Sequence, residues 1–474
     1  MSERASWMPP AIFALATMQY LWNASQVWPL SGYDGVGHAA YALTLLLEGR
    51  LPQPLEGWST FHPPLYYGVL AALWGATAWL GAGTQLFVGR LVSVVAILVA
   101  GRVLFGILRD RGTGVAVSSA AVAILLFLPA TQLAATTLGN EALGVAFASL
   151  ALPAVLALQR DPTDARSAGL AGLCAGLALA TKFTGLFVVG ACVVPFLRRK
   201  LPRAAWRAAG LGVLAASLVA GPVYLRNLWL TGSPVPMTRD TGVVAKNEAL
   251  FVVRERKLTD YIGLPLETLR RPSIAPRPPA AGTLRRELFN EAHVHVWGSA
   301  YASLWFDSYL RRIPLVGHGD REGAFWGQLL AGLGLLPTAT MLLGLALAVR
   351  ELLRPGRSAD APLVGMAALA LLSFVAFTVH NPAIVASKGS YLLPLLVPAG
   401  LFFAQGAAAM PSIARGVVLC VSGAAVATSA LVFTADLIFT PRPLPPKQML
   451  LDQTLPNMRA AVQVFVPEDH LRTP

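Results

Sequence analysis

The stretch GTGVAVSSAAVAILLFLPATQLAATTLGN, residues 112–140, contains no charged side chain, and Glu141 follows it directly. A helix needs about 20 apolar residues to cross the hydrocarbon of a bilayer, so this stretch is long enough for one crossing. The 474-residue chain is 55% hydrophobic and 13% charged, about half the charged share of a soluble domain. Further uncharged stretches follow along the chain. The sequence therefore predicts an all-α, polytopic membrane protein.

About eleven crossings are expected. They are predicted near residues 9–29, 86–108, 115–136, 141–158, 168–181, 184–197, 208–229, 325–349, 362–380, 389–409 and 414–436. Short cytoplasmic loops carry an excess of Lys and Arg, and this bias decides the orientation of the bundle. The basic clusters share the cytoplasmic side only if the apolar stretch 64–80 does not cross. We expect that stretch to lie in or dip into the outer leaflet.

The same bias predicts two short helices over 168–197 that meet near Lys182. The chain is expected to form a single membrane domain, 1–474, whose first span is kept as an anchor. Three outer segments are predicted. The first, 30–84, contains juxtamembrane helices, including one at 36–47 that ends at Gly49. The second, 231–324, is a long loop with a structured part near 284–310, and the third, 438–474, is the C-terminal tail.

Two isolated carboxylates follow predicted spans on the outer side. Asp34 stands in a glycine-rich turn after the first span, and Glu141 precedes the fourth. Asp34 is equally suited to cap the helix that follows it, and Glu141 to favour a helix dipole from the first turn. As a pair, the two residues suit deprotonation of an acceptor or binding of a divalent cation.

Basic side chains also stand at the outer ends of predicted helices. Lys182, Arg226 and Lys388 oppose the positive-inside bias, and each is explained by snorkelling to lipid headgroups or by binding a phosphate. His62 stands in Phe61-His62-Pro63-Pro64, which is either a rigid corner or a place for a hydrogen-bonding or cationic group near the carboxylates. The net charge of +13 is assigned to cytoplasmic loops, so no nucleic-acid partner is expected.

Seven short strings appear in a fixed order. They are Asp34, Gly49-Arg50-Leu51-Pro52, Phe61-His62-Pro63-Pro64-Leu65-Tyr66-Tyr67, Asn140-Glu141, Thr181-Lys182-Phe183-Thr184-Gly185, Arg226-Asn227 with Gly232-Ser233-Pro234, and Lys388-Gly389-Ser390-Tyr391-Leu392-Leu393-Pro394. The ordered set resembles the GT-C fold glycosyltransferase superfamily. It is most similar to the protein O-mannosyltransferase and lipid A aminoarabinose transferase group and its bacterial relatives.

The resemblance implies a sugar donor carried on a polyprenyl monophosphate, with its lipid tail in a groove between helices. Asp34 would lie at the reaction centre and activate the acceptor, and Glu141 would be the second acid. The donor phosphate would be held by Lys388, Arg226, His62, Lys182 and Tyr391. The expected reaction transfers the sugar, with inversion, to a lipid, glycan or protein acceptor that the sequence does not identify.

The resemblance also implies a bacterial inner (cytoplasmic) membrane, with the site facing the periplasm or cell exterior. A divalent cation at Asp34 and Glu141 stays open. The sequence departs from the family pattern at Gly35, where many protein mannosyltransferases have a second acid, and at Ser390, where relatives often have arginine. Two alternatives are a lipid-linked polysaccharide ligase or polymerase and a non-enzymatic lipid or solute transporter.

Overall fold

A computed structural model describes residues 7–27, 30–32, 34–197, 200–237, 255–263, 266–270, 272, 294–306, 319–354, 358–438, 447 and 458–466. The helices of the first half are α1 Met8–Gln26, α2 Gly35–Glu48, α3 Leu65–Ala76, α4 Ala82–Asp110, α5 Val115–Phe127, α6 Pro129–Thr136, α7 Glu141–Arg160, α8 Ala165–Thr181, α9 Leu186–Val193 and α10 Arg203–Thr231. The second half contains α11 Leu266–Arg270, α12 Val296–Trp305, α13 Gly319–Leu352, α14 Ala361–His380, α15 Leu396–Ala409, α16 Ser412–Phe433 and α17 Arg459–Phe465.

The all-α membrane fold is confirmed. Seven described helical segments are long and apolar enough to cross a bilayer, if α15 is counted together with the helical turns that precede it from Gly389, or eight if α5 and α6 form one broken span. These two helices meet at a bend of 57°, and Pro129 is the first residue of α6. Proline has no N–H to donate and its ring disfavours helix in the residue before it, so α5 ends there. The predicted number of about eleven crossings stays a prediction.

Both helices predicted in the 30–84 segment are present, and α3 is shorter than the predicted stretch 64–80. α2 ends at Gly49, whose φ of +64° is the left-handed conformation that glycine adopts without strain. α3 has 12 residues and is therefore about 18 Å long, against the roughly 30 Å of bilayer hydrocarbon. This length agrees with a helix that does not cross. The two short helices expected to meet near Lys182 are also present, because α8 ends at Thr181 and Lys182 is extended.

The long 231–324 segment is described only in part. Of its predicted structured part near 284–310, the structure describes residues 294–306, which contain α12, and the remainder lies outside the described residues. In the 438–474 tail, α17 is described. Its Phe465 ring lies 4.8 Å from the ring of Trp74 in α3, so this part of the tail packs on the juxtamembrane helices.

Helices in the bundle approach closely where glycines face backbone atoms. α8 packs between α7 and α10, and a Cβ added at Gly172 of α8 would lie 2.1 Å from the carbonyl oxygen of Gly212. α13 packs on α15 in the same way, because a Cβ at Gly344 would lie 1.8 Å from the carbonyl oxygen of Phe402. The hydrophobic effect contributes little to helix association within hydrocarbon. The close van der Waals contact at these glycines therefore stabilises the bundle.

The two ends of the bundle carry different chemistry. α7 runs from Glu141 to Arg160, and its 20 residues separate these side chains by about 30 Å along the helix axis. We refer to the Glu141 end and the Arg160 end of the bundle. α2 lies at the Glu141 end, because Gly32, just before it, contacts Thr137. The ion pair between Arg111 and Asp360 lies at the Arg160 end, in a cavity that Arg160 also lines.

Replacing Gly344 with alanine should destabilise the protein by about 1–3 kcal/mol, because the new methyl group forces α13 away from α15. The matched control is Gly332→Ala on the same helix, where a Cβ meets nothing within 4 Å. There the higher helix propensity of alanine should leave stability unchanged or raise it slightly. Thermal inactivation in detergent measures both variants, and equal midpoints would contradict the packing argument.

Candidate active site

Asp34 occupies the N-cap position of α2 but does not cap the helix with its side chain. Its Oδ1 accepts a hydrogen bond of 2.6 Å from the indole Nε1 of Trp58. The half-buried carboxylate therefore points towards the 57–60 turn, and the capping alternative considered for it is wrong. Gly37 permits this arrangement, because a Cβ there would lie 2.5 Å from Oγ of Ser59.

Glu141 forms an ion pair that the linear sequence does not reveal. Its Oε1 accepts a hydrogen bond from Nζ of Lys182, and the two side chains are 17% and 7% exposed. Lys182 reaches it because the chain breaks between α8 and α9. On the other side, Tyr66 of α3 accepts a hydrogen bond of 2.9 Å from the N–H of Gly139. The turn before α7 is thus held by α3 as well as by α8, and Glu141 has a fixed place.

One aromatic ring lies between two ammonium groups at this end. Nζ of Lys182 is 5.6 Å from the ring centroid of Tyr391, and Nζ of Lys388 is 5.9 Å from it. Ammonium groups within about 6 Å of such a ring are attracted by its π-electrons. The segment that carries Lys388 and Tyr391 is anchored to α12, because the N–H of Gly389 donates to Oγ of Ser303 at 2.7 Å.

A buried histidine lies among these charges. His38 of α2 is 2% exposed, and its Nδ1 is 2.8 Å from the hydroxyl oxygen of Tyr67. Burial lowers the pKa of His38, while the charges of Glu141 and Asp34 raise it and those of Lys182 and Lys388 lower it. The imidazole is neutral at neutral pH. The charges of Asp34, Glu141, Lys182 and Lys388 thus all influence the pKa of this one imidazole.

His62 lies beside His38, with 6.0 Å between the ring centroids. Its Nδ1 is buried and has no hydrogen-bond partner among the described residues. Burial and then the charge of Lys182 lower its pKa well below the usual value for histidine. Of the two forms considered for His62, the neutral hydrogen-bonding form is therefore favoured over the cationic one.

Arg226 lies at the edge of this group. Its Nη2 donates to the carbonyl oxygen of Pro52 at 2.8 Å, so the guanidinium holds the loop that follows α2. Its charge reaches Tyr41, whose pKa is raised by burial and lowered by Arg226. Tyr41 in turn stacks on Tyr67 with 3.9 Å between the ring centroids. Among the described residues Arg226 makes no contact with Glu141 or Lys388, so it lies at the margin of the site.

Sequence reasoning missed His38, Tyr67 and Trp58 as members of the site. Tyr67 belongs to one of the strings that were singled out, and His38 stands four residues after Asp34, a spacing that places both on one face of a helix. Arg90 was also missed. It is 4% exposed, and its Nη1 donates to the carbonyl oxygens of Ala24 and Val27 at 2.6 and 3.1 Å, near the end of α1.

The residues do not fit a resident metal ion. Within the described ranges, no three His, Cys, Asp or Glu side chains group together as ligands. Glu141 is engaged by Lys182, and Oδ1 of Asp34 by Trp58. A divalent cation at these two carboxylates would have to displace an ammonium group and an indole N–H. We therefore derive no step of the chemistry through a metal.

No family model and no curated protein matches the sequence. Solved structures do match its fold. The oligosaccharyltransferase of Archaeoglobus fulgidus, solved with Zn and sulfate, is 12% identical over 97% of this chain and 58% of its own, with a TM-score of 0.52. The archaeal oligosaccharyltransferase AglB from the same organism was solved in complex with an inhibitory peptide and a dolichol-phosphate. It is 10% identical over 99% of this chain and 61% of its own, with a TM-score of 0.52. ArnT from Cupriavidus metallidurans, in the apo state, is 14% identical over 97% of this chain and 85% of its own, with a TM-score of 0.41.

This chain spans about three fifths of the length of the oligosaccharyltransferases that it matches. At this level of identity the likeness concerns the fold and not the activity. It extends over nearly the whole of this chain, from the juxtamembrane helices that hold Asp34 to the last described helices. The chain therefore shares the fold of these structures, in agreement with the GT-C fold that the sequence resemblance predicts.

Proposed function

We propose that this protein transfers a sugar from a polyprenyl-phosphate donor to an acceptor hydroxyl, with inversion, at the Glu141 end of the bundle. The observation that carries the proposal is the set of charges around His38. A carboxylate oriented by an indole, an ion pair between Glu141 and Lys182, and a further ammonium group on Lys388 all influence the pKa of one buried imidazole. Such a set suits a reaction that removes a proton and releases a phosphate.

The proposed reaction is a single displacement. The acceptor oxygen forms a bond to the anomeric carbon while the bond from that carbon to the phosphate oxygen breaks. The acceptor proton passes to Asp34, and the bonding electrons leave with the polyprenyl phosphate. Trp58 binds one oxygen of Asp34, so the carboxylate is oriented and its other oxygen is the one that we assign to the acceptor. Fixing a base in this way lowers the entropic cost of the reaction.

The charges of the group suit a phosphate. The carboxylates of Asp34 and Glu141 balance the ammonium groups of Lys182 and Lys388, and Arg226 adds one positive charge. A sugar linked through a polyprenyl phosphate is a phosphodiester with one negative charge, and the leaving phosphate gains a second. We assign the phosphate to Lys388, because the family resemblance places this residue at the donor phosphate and its Nζ lies 5.9 Å from the ring of Tyr391. The ring of Tyr391 lies within about 6 Å of the ammonium groups of Lys182 and Lys388 and attracts both.

The donor class rests on the family resemblance, and one structure with the same fold supports it. The matching oligosaccharyltransferase AglB was solved in complex with a dolichol-phosphate, which is a polyprenyl-type phosphate. We place the Glu141 end towards the periplasm or cell exterior of a bacterial inner membrane. The Arg160 end supports this orientation, because Arg109, Arg111, Arg160 and Arg166 stand at the helix ends there and short cytoplasmic loops are rich in such residues.

The transporter alternative is less well supported. A transport path is expected to carry ionisable side chains inside the membrane, between the two faces. Among the described residues the buried charged side chains are Arg90, Lys182, Asp260 and Asp360. The first two lie at the Glu141 end, Asp360 lies at the Arg160 end, and Asp260 belongs to the long outer segment. A ligase or polymerase remains the second candidate, because the large 231–324 segment is typical of one.

Asp34→Asn should lower sugar transfer by about 10²–10⁴-fold, because the amide accepts no proton from the acceptor. The variant should still insert in the membrane and still retain the donor. Asp110→Asn, at an exposed acid of the other bundle end, is the control and should transfer normally. Transfer is followed by mass spectrometry of the lipid-linked sugar consumed by membranes that contain each protein. Normal consumption by Asp34→Asn would overturn the assignment.

Lys388→Gln should reduce the amount of polyprenyl phosphate that copurifies with the protein by about tenfold, the effect of losing one charge-assisted hydrogen bond. Lys388→Arg should keep most of it, and Lys200→Gln, at an exposed lysine outside the site, should keep all of it. Mass spectrometry of the extracted lipids measures the amounts and also identifies the donor. A monophosphate with one sugar supports the proposal, whereas a diphosphate carrier would favour the ligase or polymerase.

The stability of the protein should fall on acidification, in part because of His62. Its pKa in the folded protein is lowered well below 6.5, so the unfolded chain binds its proton first as the pH falls. The contribution of neutral His62 to the free energy of unfolding is present above about pH 6.5. As the pH falls below that value, the free energy of unfolding decreases by up to about 1.4 kcal/mol per pH unit until the pKa of His62 in the folded protein is reached. His62→Gln should therefore lose less stability between pH 7.5 and 5.5 in thermal unfolding. An equal loss would show that His62 is not buried in neutral form.

A further inference from the structure

A cavity at the Arg160 end has no part in the proposed reaction. Its volume is about 330 Å³, and it is lined by Arg111, Leu156, Gln159, Arg160, Ser358, Ala359 and Asp360. It lies where the ends of α4 and α7 meet the start of α14. The length of α7 separates it from Glu141 by about 30 Å, so it is not an extension of the candidate active site.

The walls of this cavity carry a net positive charge. Nη2 of Arg111 lies 2.7 Å from Oδ1 of Asp360, and these side chains are 27% and 10% exposed. That pair is neutral in sum. Arg160 adds a further positive charge and belongs to none of the ion pairs found among the described residues. An occupant with a single negative charge would balance the cavity.

The walls also offer a polar group that the protein does not use. Ser358 is 9% exposed, and its Oγ is buried without a hydrogen-bond partner in the described part of the chain. A buried hydroxyl without a partner is costly, and an acceptor oxygen from a ligand would relieve that cost. The backbone here is fixed, because Nε2 of Gln159 donates to the carbonyl oxygen of Ser358 at 2.9 Å.

The remaining walls are apolar. Leu156 and Ala359 line the cavity beside the charged groups, and the helices around it meet the bilayer. A phosphate group attached to hydrocarbon satisfies both parts, because its oxygens accept from Arg160 and Ser358 while its chains lie against leucine and lipid. Basic pockets between membrane helices bind anionic headgroups in this way. We propose that this cavity binds the phosphate headgroup of an anionic membrane lipid.

The test uses the full-length protein and two lipids of different charge. The wild type should retain phosphatidylglycerol from mixed micelles in preference to phosphatidylcholine, as adducts counted by native mass spectrometry. Arg160→Gln should retain about fivefold less phosphatidylglycerol, the expected effect of one basic residue near an anionic headgroup. Arg160 is exposed and ends α7, so its replacement leaves the core and the Arg111–Asp360 pair in place. Arg160→Lys should retain most of the lipid.

The matched control is Arg166→Gln, at an exposed arginine in the first turn of α8 that does not line the cavity. It should bind lipid like the wild type. Inorganic phosphate, added as a competitor, distinguishes a lipid from a free anion, and it should displace little phosphatidylglycerol. Equal retention of both lipids, equal retention by Arg160→Gln and wild type, or binding of inorganic phosphate without the lipid would each overturn the proposal.

Discussion

The ion pair between Glu141 and Lys182 is the interaction on which the rest of the site depends. Both side chains are mostly buried, and removing either partner of such a pair costs about 3–5 kcal/mol, since it leaves the other charge unpaired. The pair joins the start of α7 to the break between α8 and α9. It also places an ammonium group 5.6 Å from the ring of Tyr391. Lys182 therefore connects three separate parts of the chain, namely the start of α7, the break between α8 and α9, and the segment that carries Tyr391.

Much of the architecture follows from composition. Uncharged stretches such as 112–140 and 361–379 predict helices that cross the bilayer, because a helix satisfies the backbone hydrogen bonds of an apolar stretch within that stretch. The break at Lys182 and the short α3 follow from the distribution of Arg and Lys. The bend at Pro129 does not, because a proline in an apolar stretch fits both a kinked span and a break. The structure adds the bend of 57° between α5 and α6, which the sequence does not specify.

The pairing of side chains in the site was less predictable. Glu141 has no basic neighbour in the sequence, and its partner lies 41 residues away. The partner of Asp34 is also distant in the sequence. The sequence left the N-cap alternative open, whereas in the structure Nε1 of Trp58, 24 residues later, donates to the Asp34 carboxylate. These pairs arise from how α2, α3 and α8 pack, and hydrophobic periodicity carries no information about that. Arg226 shows the limit most clearly, because its position at a helix end suggested a phosphate ligand and its Nη2 is bonded to the carbonyl oxygen of Pro52.

The buried guanidinium of Arg90 has a consequence for α1. That helix contains no charged residue, so apolar contacts with its neighbours alone would define its position along its own axis only weakly. Arg90 holds the carbonyl oxygens of Ala24 and Val27, and Gln19 and Asn23 donate to carbonyl oxygens near the end of α16. These polar contacts fix the vertical register of α1. The turn that follows α1 and carries Asp34 is thus held at a fixed height relative to α4 and α16.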